Sequence, residues 1–202
     1  MNLPWPAALI AFVIAFLLTW IELRTSKYPN TGFLLGSSHP LWIYCLVYGV
    51  IALSGFLLSN LLITSSKLTI QGLGLQSPYV RAVVLGVSSK AIMQLNLYTV
   101  TSGSSSFPIG FQTIVQLFEP FLIRQISLDE FTAVKAFIAP YAKRYSSMAQ
   151  VKTLIKENMP AFLSQQERGA FENEIDKDQR VEEAMARFLR FLGKKAFLSV
   201  FS

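Results

Sequence analysis

The sequence predicts a membrane protein that begins with a transmembrane hairpin and continues into a small soluble α+β domain. Residues 4–23 carry one charge, Glu22, and residues 41–63 carry none. A helix needs about 20 apolar residues to cross a hydrocarbon core about 30 Å thick, so both stretches are long enough. Beyond them, apolar residues first alternate and then recur at helical spacing, which predicts an antiparallel sheet followed by helices. The predicted boundaries are residues 1–65 for the hairpin and 66–202 for the soluble domain.

Aromatic and small residues support the two spans. Trp5 and Trp20 bracket the first stretch and Trp42 opens the second, as expected for indole rings that lie among lipid headgroups. In the first span, small residues recur every four positions. Such a stripe lets helices approach closely, within the hairpin or between subunits, although alanine is also common in membrane helices. The stripe consists of Ala7, Ala11, Ala15 and Thr19.

The charges and the single cysteine help to predict on which side of the membrane the soluble domain lies. The loop residues Arg24 and Lys27 nearly balance Lys67 and Arg81 after the second span, so the positive-inside rule alone does not decide. With Cys45 as the only cysteine, no intrachain disulfide indicates an oxidising compartment. The first stretch lacks a basic region and a small-residue cleavage site, so it is expected to stay as an anchor. We expect a multi-pass protein of the inner (cytoplasmic) membrane with its soluble domain in the cytosol.

Four segments after the second span have the pattern of β-strands. Segment 79–87 is rich in valine, whereas 91–101 and 109–117 alternate apolar and polar residues. A fourth segment, 66–75, contains two glycines. Together with a Ser- and Gly-rich turn at 102–106, these segments predict a small antiparallel sheet with a hairpin at its centre.

The rest of the chain has helical spacing and helix-start signals. At three places a serine is followed three residues later by Glu or Gln, which is typical of a capping box. We expect a helix to begin after each serine, and a last helix from about 178 to 192 that Gly193 closes. The three pairs are Ser127–Glu130, Ser147–Gln150 and Ser164–Glu167.

Residues for common catalytic centres are scarce. His39 is the only histidine and stands beside Pro40, and Cys45 lies within the second span. A zinc site, a Ser-His-Asp triad or a Cys-His pair cannot be assembled from them. Acidic residues concentrate between 167 and 183 beside basic partners, as on solvated helix faces. We expect no enzyme, no metal and no cofactor.

The net charge of +6 favours an anionic partner such as a phosphate, a nucleotide or a lipid headgroup, although a diffuse solvated surface also explains it. In the turn 102–106, Ser102 and Ser104 could help to cradle a phosphate with hydroxyls and amides. Ser and Gly fill ordinary hairpin turns as well. Arg81 and Lys90 are further candidates for phosphate contacts.

Two basic stretches near the C-terminus are the other candidates. Lys143 and Arg144 stand between Tyr141 and Tyr145. This suits a nucleotide, because cations neutralise a phosphate while a ring stacks on a base, but a basic helix end explains the same residues. The tail 187–201 mixes basic residues with phenylalanines, so it either lies on an anionic membrane or docks into the core of the domain.

The layout of two closely spaced spans followed by a compact basic domain resembles the small two-pass membrane effectors of prokaryotic antiviral defence. It is similar to that of effectors associated with type III CRISPR, whose soluble domains sense cyclic oligoadenylate. The resemblance covers the whole chain in layout and includes no diagnostic motif. It implies a homo-oligomer that binds a cyclic oligonucleotide and then depolarises or permeabilises the lipid bilayer.

Two functions of different classes follow. The first is a membrane sensor–effector whose cytosolic domain binds a cyclic oligoadenylate and changes the packing of an oligomeric transmembrane region. The alternative is a non-enzymatic, membrane-anchored scaffold or accessory subunit that recruits a protein partner.

Overall fold

The computed structural model describes residues 4–66, 75–93, 96–102 and 105–202, which form two compact units. Unit 1 comprises Met1–Leu23 and Ser38–Ile126. Unit 2 comprises Arg24–Ser37 and Ser127–Ser202. The connection between the two predicted spans therefore belongs with the C-terminal residues, and the residues that follow the second span belong with the spans.

Eight α-helices and two strands are defined in the described residues. A π-helical turn, Leu23–Lys27, and a 3-10 helix, Gly32–Ser37, lie between the first two helices. In chain order the elements are α1 (Trp5–Glu22), α2 (His39–Ser66), α3 (Pro78–Val87), α4 (Ser89–Met93), β1 (Asn96–Ser102), β2 (Ser105–Gly110), α5 (Phe111–Ala142), α6 (Met148–Glu157), α7 (Gln165–Lys177) and α8 (Val181–Phe201).

The predicted α+β class is wrong, because helices rather than a sheet build the described part of the chain. The predicted strand 79–87 is helix α3, and most of 109–117 is the start of α5. Segment 91–101 is divided between α4 and β1, and residues 67–74 of the first predicted strand lie outside the described residues. Strands β1 and β2 pair only with each other, as a two-stranded ribbon.

The valine content of α3 explains the wrong prediction. Valine favours strands only weakly, and tertiary context overrides that preference. Pro78 occupies the first turn of α3, where a missing backbone N–H leaves no hydrogen bond unmade. A helix also satisfies its own backbone hydrogen bonds, which a short segment beside lipid requires.

The alanine stripe of α1 is the contact surface for two other helices. All four of its residues are buried. Ala7 and Ala11 form one cluster with Phe56 of α2 and Ala82 of α3. The stripe therefore packs against helices of the same chain.

Helices α3 and α4 run back alongside α1. Ala82 lies in the cluster near the start of α1. One turn later, a Cβ added to Gly86 would lie only 3.0 Å from the carbonyl oxygen of Ala11. In α4, Lys90 forms an ion pair with Glu22 at the end of α1. The pair of short helices thus follows α1 from its first turns to its last.

In unit 1 the small residues of α1 lie at the helix contacts, and many large apolar residues face outward, as expected of helices that face lipid. Two helical segments, Trp5–Lys27 and His39–Ile63, are long and apolar enough to span a membrane. The outward face of α3 consists largely of valines. Exposed residues include Leu9, Val13, Leu17 and Ile21 of α1, Ile43, Leu46, Val50 and Leu58 of α2, and Val80, Val83, Val84 and Val87 of α3.

Unit 2 has a core rich in aromatic residues. Phe188, Phe197 and Phe201 of α8 are buried together with Phe171 of α7. The rings of Phe188 and Phe201 meet edge to face with their centroids 5.7 Å apart. The C-terminal tail therefore docks into the core of the unit.

One of the three predicted capping boxes forms. Glu167 donates its backbone N–H to the Ser164 hydroxyl at 3.2 Å, and its carboxylate accepts the Ser164 N–H at 2.9 Å. The Ser164 hydroxyl also donates to this carboxylate at 2.7 Å, and its bond together with that from the Ser164 N–H lowers the pKa of Glu167. Ser147 precedes α6 without a side-chain bond to it. The prediction at Ser127 is wrong, because Ser127 lies inside α5, where its hydroxyl hydrogen-bonds that of Tyr28 at 2.8 Å.

The loop between α1 and α2 caps the last helix. Helix α8 kinks at Gly193, whose φ of 82° lies in the left-handed region that favours glycine. The kink interrupts the helical hydrogen bonds of the turn before it. The side-chain amide of Asn30 donates to the carbonyl oxygens of Arg190 and Phe191 at 2.7 and 2.8 Å. Gly193 thus ends the predicted segment, and helical turns resume up to Phe201.

Replacing Gly86 tests the close packing of α3 on α1. In Gly86→Ala the new Cβ would meet the Ile14 Cβ at 2.9 Å, so we expect destabilisation by about 1–3 kcal/mol through overpacking. Gly169→Ala in α7 meets nothing within 4 Å and should be neutral or stabilising, because alanine favours helices. Thermal unfolding of both variants in detergent measures the difference. Equal effects would contradict the described contact.

Candidate functional site

The two acidic residues of unit 1 converge on one group of polar side chains. Glu22 and Glu119 are its only carboxylates. Lys90 pairs with Glu22, and Tyr44 donates its hydroxyl to the Glu119 carboxylate at 2.7 Å. Tyr48 contacts both Tyr44 and Lys90 and so connects the two pairs. We call these five residues the polar cluster.

Contacts inside the polar cluster form an unbroken chain. The hydroxyl oxygens of Tyr44 and Tyr48 are 3.2 Å apart, and their ring centroids are 5.1 Å apart. The Lys90 ammonium lies over the Tyr48 ring, 5.9 Å from its centroid. The sequence of contacts therefore runs from Glu119 through both tyrosines to Lys90 and Glu22.

Four helices supply the polar cluster. Glu22 ends α1, Lys90 lies on α4, and Glu119 lies on α5. Tyr44 and Tyr48 are one turn apart on α2, so they share a face, and both are buried. The cluster thus joins the end of α1 to the beginning of α2 and to the segments that follow.

The cluster brings charges of both signs together, but it does not resemble a metal centre. Carboxylates, phenols and an ammonium in contact favour one packing arrangement. Among the described residues, no group of three or more metal-binding side chains was found. Ionisable residues among membrane helices are costly, and they commonly mark functional sites.

A second candidate site is a cleft in unit 2. It has a volume of about 720 Å³ and lies between α5, α7 and α8. Its apolar lining includes Phe131, Val134, Ile138 and Phe171. This size lies within the range of about 300–1,000 Å³ that is usual for ligand pockets.

The arginines of the cleft already have carboxylate partners. Arg187 Nη2 lies 2.8 Å from Asp178 Oδ1 and its Nη1 lies 3.1 Å from Glu174, while Arg190 contacts Glu130 at 2.9 Å. The hydrogen bonds to Asp178 raise the pKa of Arg187. The ammonium of Lys177 lowers the pKa of Glu174. A cleft whose arginines are neutralised in this way suits a mixed-charge peptide better than a polyanion.

The structure separates the predicted phosphate-binding residues. Arg81 donates to the side-chain oxygen of Asn60 at 3.2 Å, whereas Lys90 contacts Tyr48. Tyr48 and Asn60 are about 18 Å apart along α2, at 1.5 Å per residue. The two cations therefore belong to opposite ends of unit 1.

The residues predicted to hold a nucleotide lie at the C-terminal end of α5 and use their rings for packing. The ring of Tyr141 meets that of Phe197 at 5.3 Å, and the ring of Tyr145 meets that of Phe201 at 5.8 Å. The four residues are Tyr141, Lys143, Arg144 and Tyr145, of which the two cations are exposed. Ser102 ends β1, and Ser104 lies outside the described residues.

The sequence did not single out the polar cluster. Two sequence features could have pointed to it: a pair of tyrosines four residues apart in an uncharged span, and the isolated carboxylates Glu22 and Glu119. Nothing in the sequence indicated that these residues meet. The contact depends on α4 returning to the end of α1.

No protein-family model, curated protein or solved structure matches the chain. Function must therefore be inferred from the residues and contacts described above.

A double-mutant cycle tests whether Glu22 and Lys90 act as a pair. We expect Glu22→Gln and Lys90→Met each to destabilise the protein, and the double variant to recover most of the loss. The expected coupling is about 1 kcal/mol or more. The pair Lys156–Asp176 of unit 2 is the matched control. Its side chains are about as exposed as those of Glu22 and Lys90, but it lies outside the apolar helices, so its expected coupling is below about 0.5 kcal/mol. Additive effects in unfolding experiments on the first pair would refute the proposed coupling.

Proposed function

We propose that the protein is a non-enzymatic membrane sensor–effector. Unit 2 receives a ligand on the cytosolic side, and the helices of unit 1 change their packing in response. The observation that supports this proposal is the polar cluster, because it joins four helices of a largely apolar unit through charged and hydroxyl groups. Displacing any of the four helices breaks contacts that are strong beside lipid, which favours two discrete arrangements over gradual deformation.

The path of the chain supports three membrane passages. If α1 and α2 each cross the bilayer, the loop Arg24–Ser37 lies at one face and the end of α2 at the other. Unit 2 contains that loop together with the C-terminal residues, so the chain must cross back after α2. Helices α3 and α4 follow α1 with valines outside, and the span from Pro78 to Met93, 16 residues including Ser88 between the helices, reaches about 24 Å at 1.5 Å per residue. They are the proposed third passage.

This path also favours a cytosolic unit 2. Arg24 and Lys27 now lie on the same side as the basic C-terminal residues. Two cations compete with them in the sequence, Lys67 and Arg81. Arg81 is buried within the bundle and does not count as a loop charge, so Lys67 alone remains on the other side. The positive-inside rule then favours a cytosolic unit 2.

Cysteine labelling tests the passages. In a Cys45→Ser background, we expect a membrane-impermeant maleimide added to intact spheroplasts to label Gln76→Cys. Pro29→Cys and Gln165→Cys should be labelled only after permeabilisation, because the loop and unit 2 share the cytosolic face. All three positions are at exposed residues. Labelling of both Gln76→Cys and Gln165→Cys from the same side would contradict a third passage.

The proposed ligand class is cyclic oligoadenylate, shared between several copies of the chain. A symmetric oligomer presents the same residues from each subunit to a cyclic ligand, and several copies are needed to surround a conduction path. Support at the residue level comes from the exposed cations Lys143 and Arg144. The Arg144 guanidinium lies 5.5 Å from the centroid of the Tyr141 ring.

Calorimetric titration of the full-length protein in nanodiscs tests this ligand, with cyclic oligoadenylates of several ring sizes and linear controls as probes. We expect binding of one ring size at less than one ligand per chain, and a loss of at least tenfold in affinity for Lys143→Ala/Arg144→Ala. The matched control, Lys194→Ala/Lys195→Ala, removes the same charge elsewhere in unit 2. Unchanged affinity in the first variant would exclude its residues from the site.

A second candidate function is an accessory subunit that recruits a protein partner. The cleft of unit 2 favours it, since apolar side chains form part of its lining and its arginines already have carboxylate partners. Absence of binding by every cyclic oligoadenylate, together with a stable partner retained in mild detergent, would favour this function over the first.

A further inference from the structure

We propose that Arg81 forms a site for a phosphate-bearing anion at the end of unit 1 where α1 begins. Arg81 is buried, with 7% of the residue exposed. The guanidinium lies 5.8 Å from the centroid of the Phe56 ring and donates to Asn60 at 3.2 Å. Among the described residues, Arg81 Nε has no hydrogen-bond partner although it is buried.

In the part of the chain that the structure describes, no carboxylate forms an ion pair with Arg81. Unit 1 contains only Glu22 and Glu119, and both belong to the polar cluster at the other end of α1. Residues 64–74 and 92–115, whose side chains are not described, contain neither Asp nor Glu. An arginine that is buried without a counter-charge is strongly destabilising, so an anion supplied from outside the chain would complete the site.

The depth of Arg81 favours a phosphate of the headgroup region. Trp5, which begins α1, is exposed, and indole rings prefer the level of the headgroups. Ala82, the neighbour of Arg81, packs against the first turns of the same helix. Arg81 therefore lies near one membrane face. This step rests on the proposed membrane position of unit 1.

Phosphate is the anion that fits a guanidinium best, because its oxygens accept parallel hydrogen bonds from the planar fork. Asn60 holds one nitrogen of the fork, and the unpartnered Nε is on the same planar group. A phospholipid headgroup and free inorganic phosphate share this chemistry.

Thermal unfolding of the full-length protein in detergent distinguishes the two sources. The additions are phosphatidylglycerol, phosphatidylcholine, or inorganic phosphate in place of chloride. We expect at least one phosphate-bearing addition to raise the melting temperature of the wild type. Arg81→Gln should lose this response and, without lipid or phosphate, should match or exceed the wild-type melting temperature because it removes the unbalanced charge. A response to lipid alone identifies a lipid site, and a response to inorganic phosphate identifies a soluble ligand.

Arg124→Gln is the matched control, since Arg124 is an exposed cation of the same unit and its loss should leave the response unchanged. Native mass spectrometry gives a second readout, in which wild type should retain at least one phospholipid more than Arg81→Gln if lipid is the source. An equal response of wild type and Arg81→Gln to every addition would overturn the site. It would leave the sensor–effector proposal intact, which depends on the polar cluster and on unit 2.

Discussion

Close contact along the alanine stripe of α1 is the constraint on which unit 1 depends. In lipid, helices associate through packing and hydrogen bonds rather than through release of water. The absence of side-chain bulk on α1 lets α2 approach from one side and α3 from another. Because α3 lies so close, α4 continues to the end of α1, and only there can Lys90 meet Glu22. The polar cluster therefore depends on the four small residues of the stripe, because their close packing brings Lys90 to Glu22.

The charged residues at the two ends of unit 1 differ in their partners. At the end where α2 begins, two carboxylates, one ammonium and two phenols satisfy one another. At the end where α1 begins, a single guanidinium has an amide and an aromatic face as its described neighbours. The charges of the polar cluster are paired within the protein, which favours a structural or switching role. The charge of Arg81 has no carboxylate partner among the described residues, so its proposed counter-charge comes from outside the protein.

The sequence was sufficient for features that depend on local composition. The two long apolar helices and the capping box at Ser164 follow from residue types at fixed spacing. The predicted strand at 79–87 was wrong because its valine content favours a strand only by composition, whereas its contacts with α1 belong to a helix. Ser127 likewise has the signature of a helix start but lies inside a continuous helix. The polar cluster and the isolation of Arg81 require long-range contacts, which spacing along one segment does not reveal.

The capping of α8 by Asn30 has a consequence for biosynthesis. The amide and its carbonyl partner on Arg190 are separated by 160 positions in the chain. Contacts of such long sequence separation slow folding, because the chain must close a large loop before they form. During synthesis, Asn30 is made 160 residues before Arg190 and cannot form this bond until α8 has been made. Unit 2 therefore acquires its final form only after the helices of unit 1 have been made.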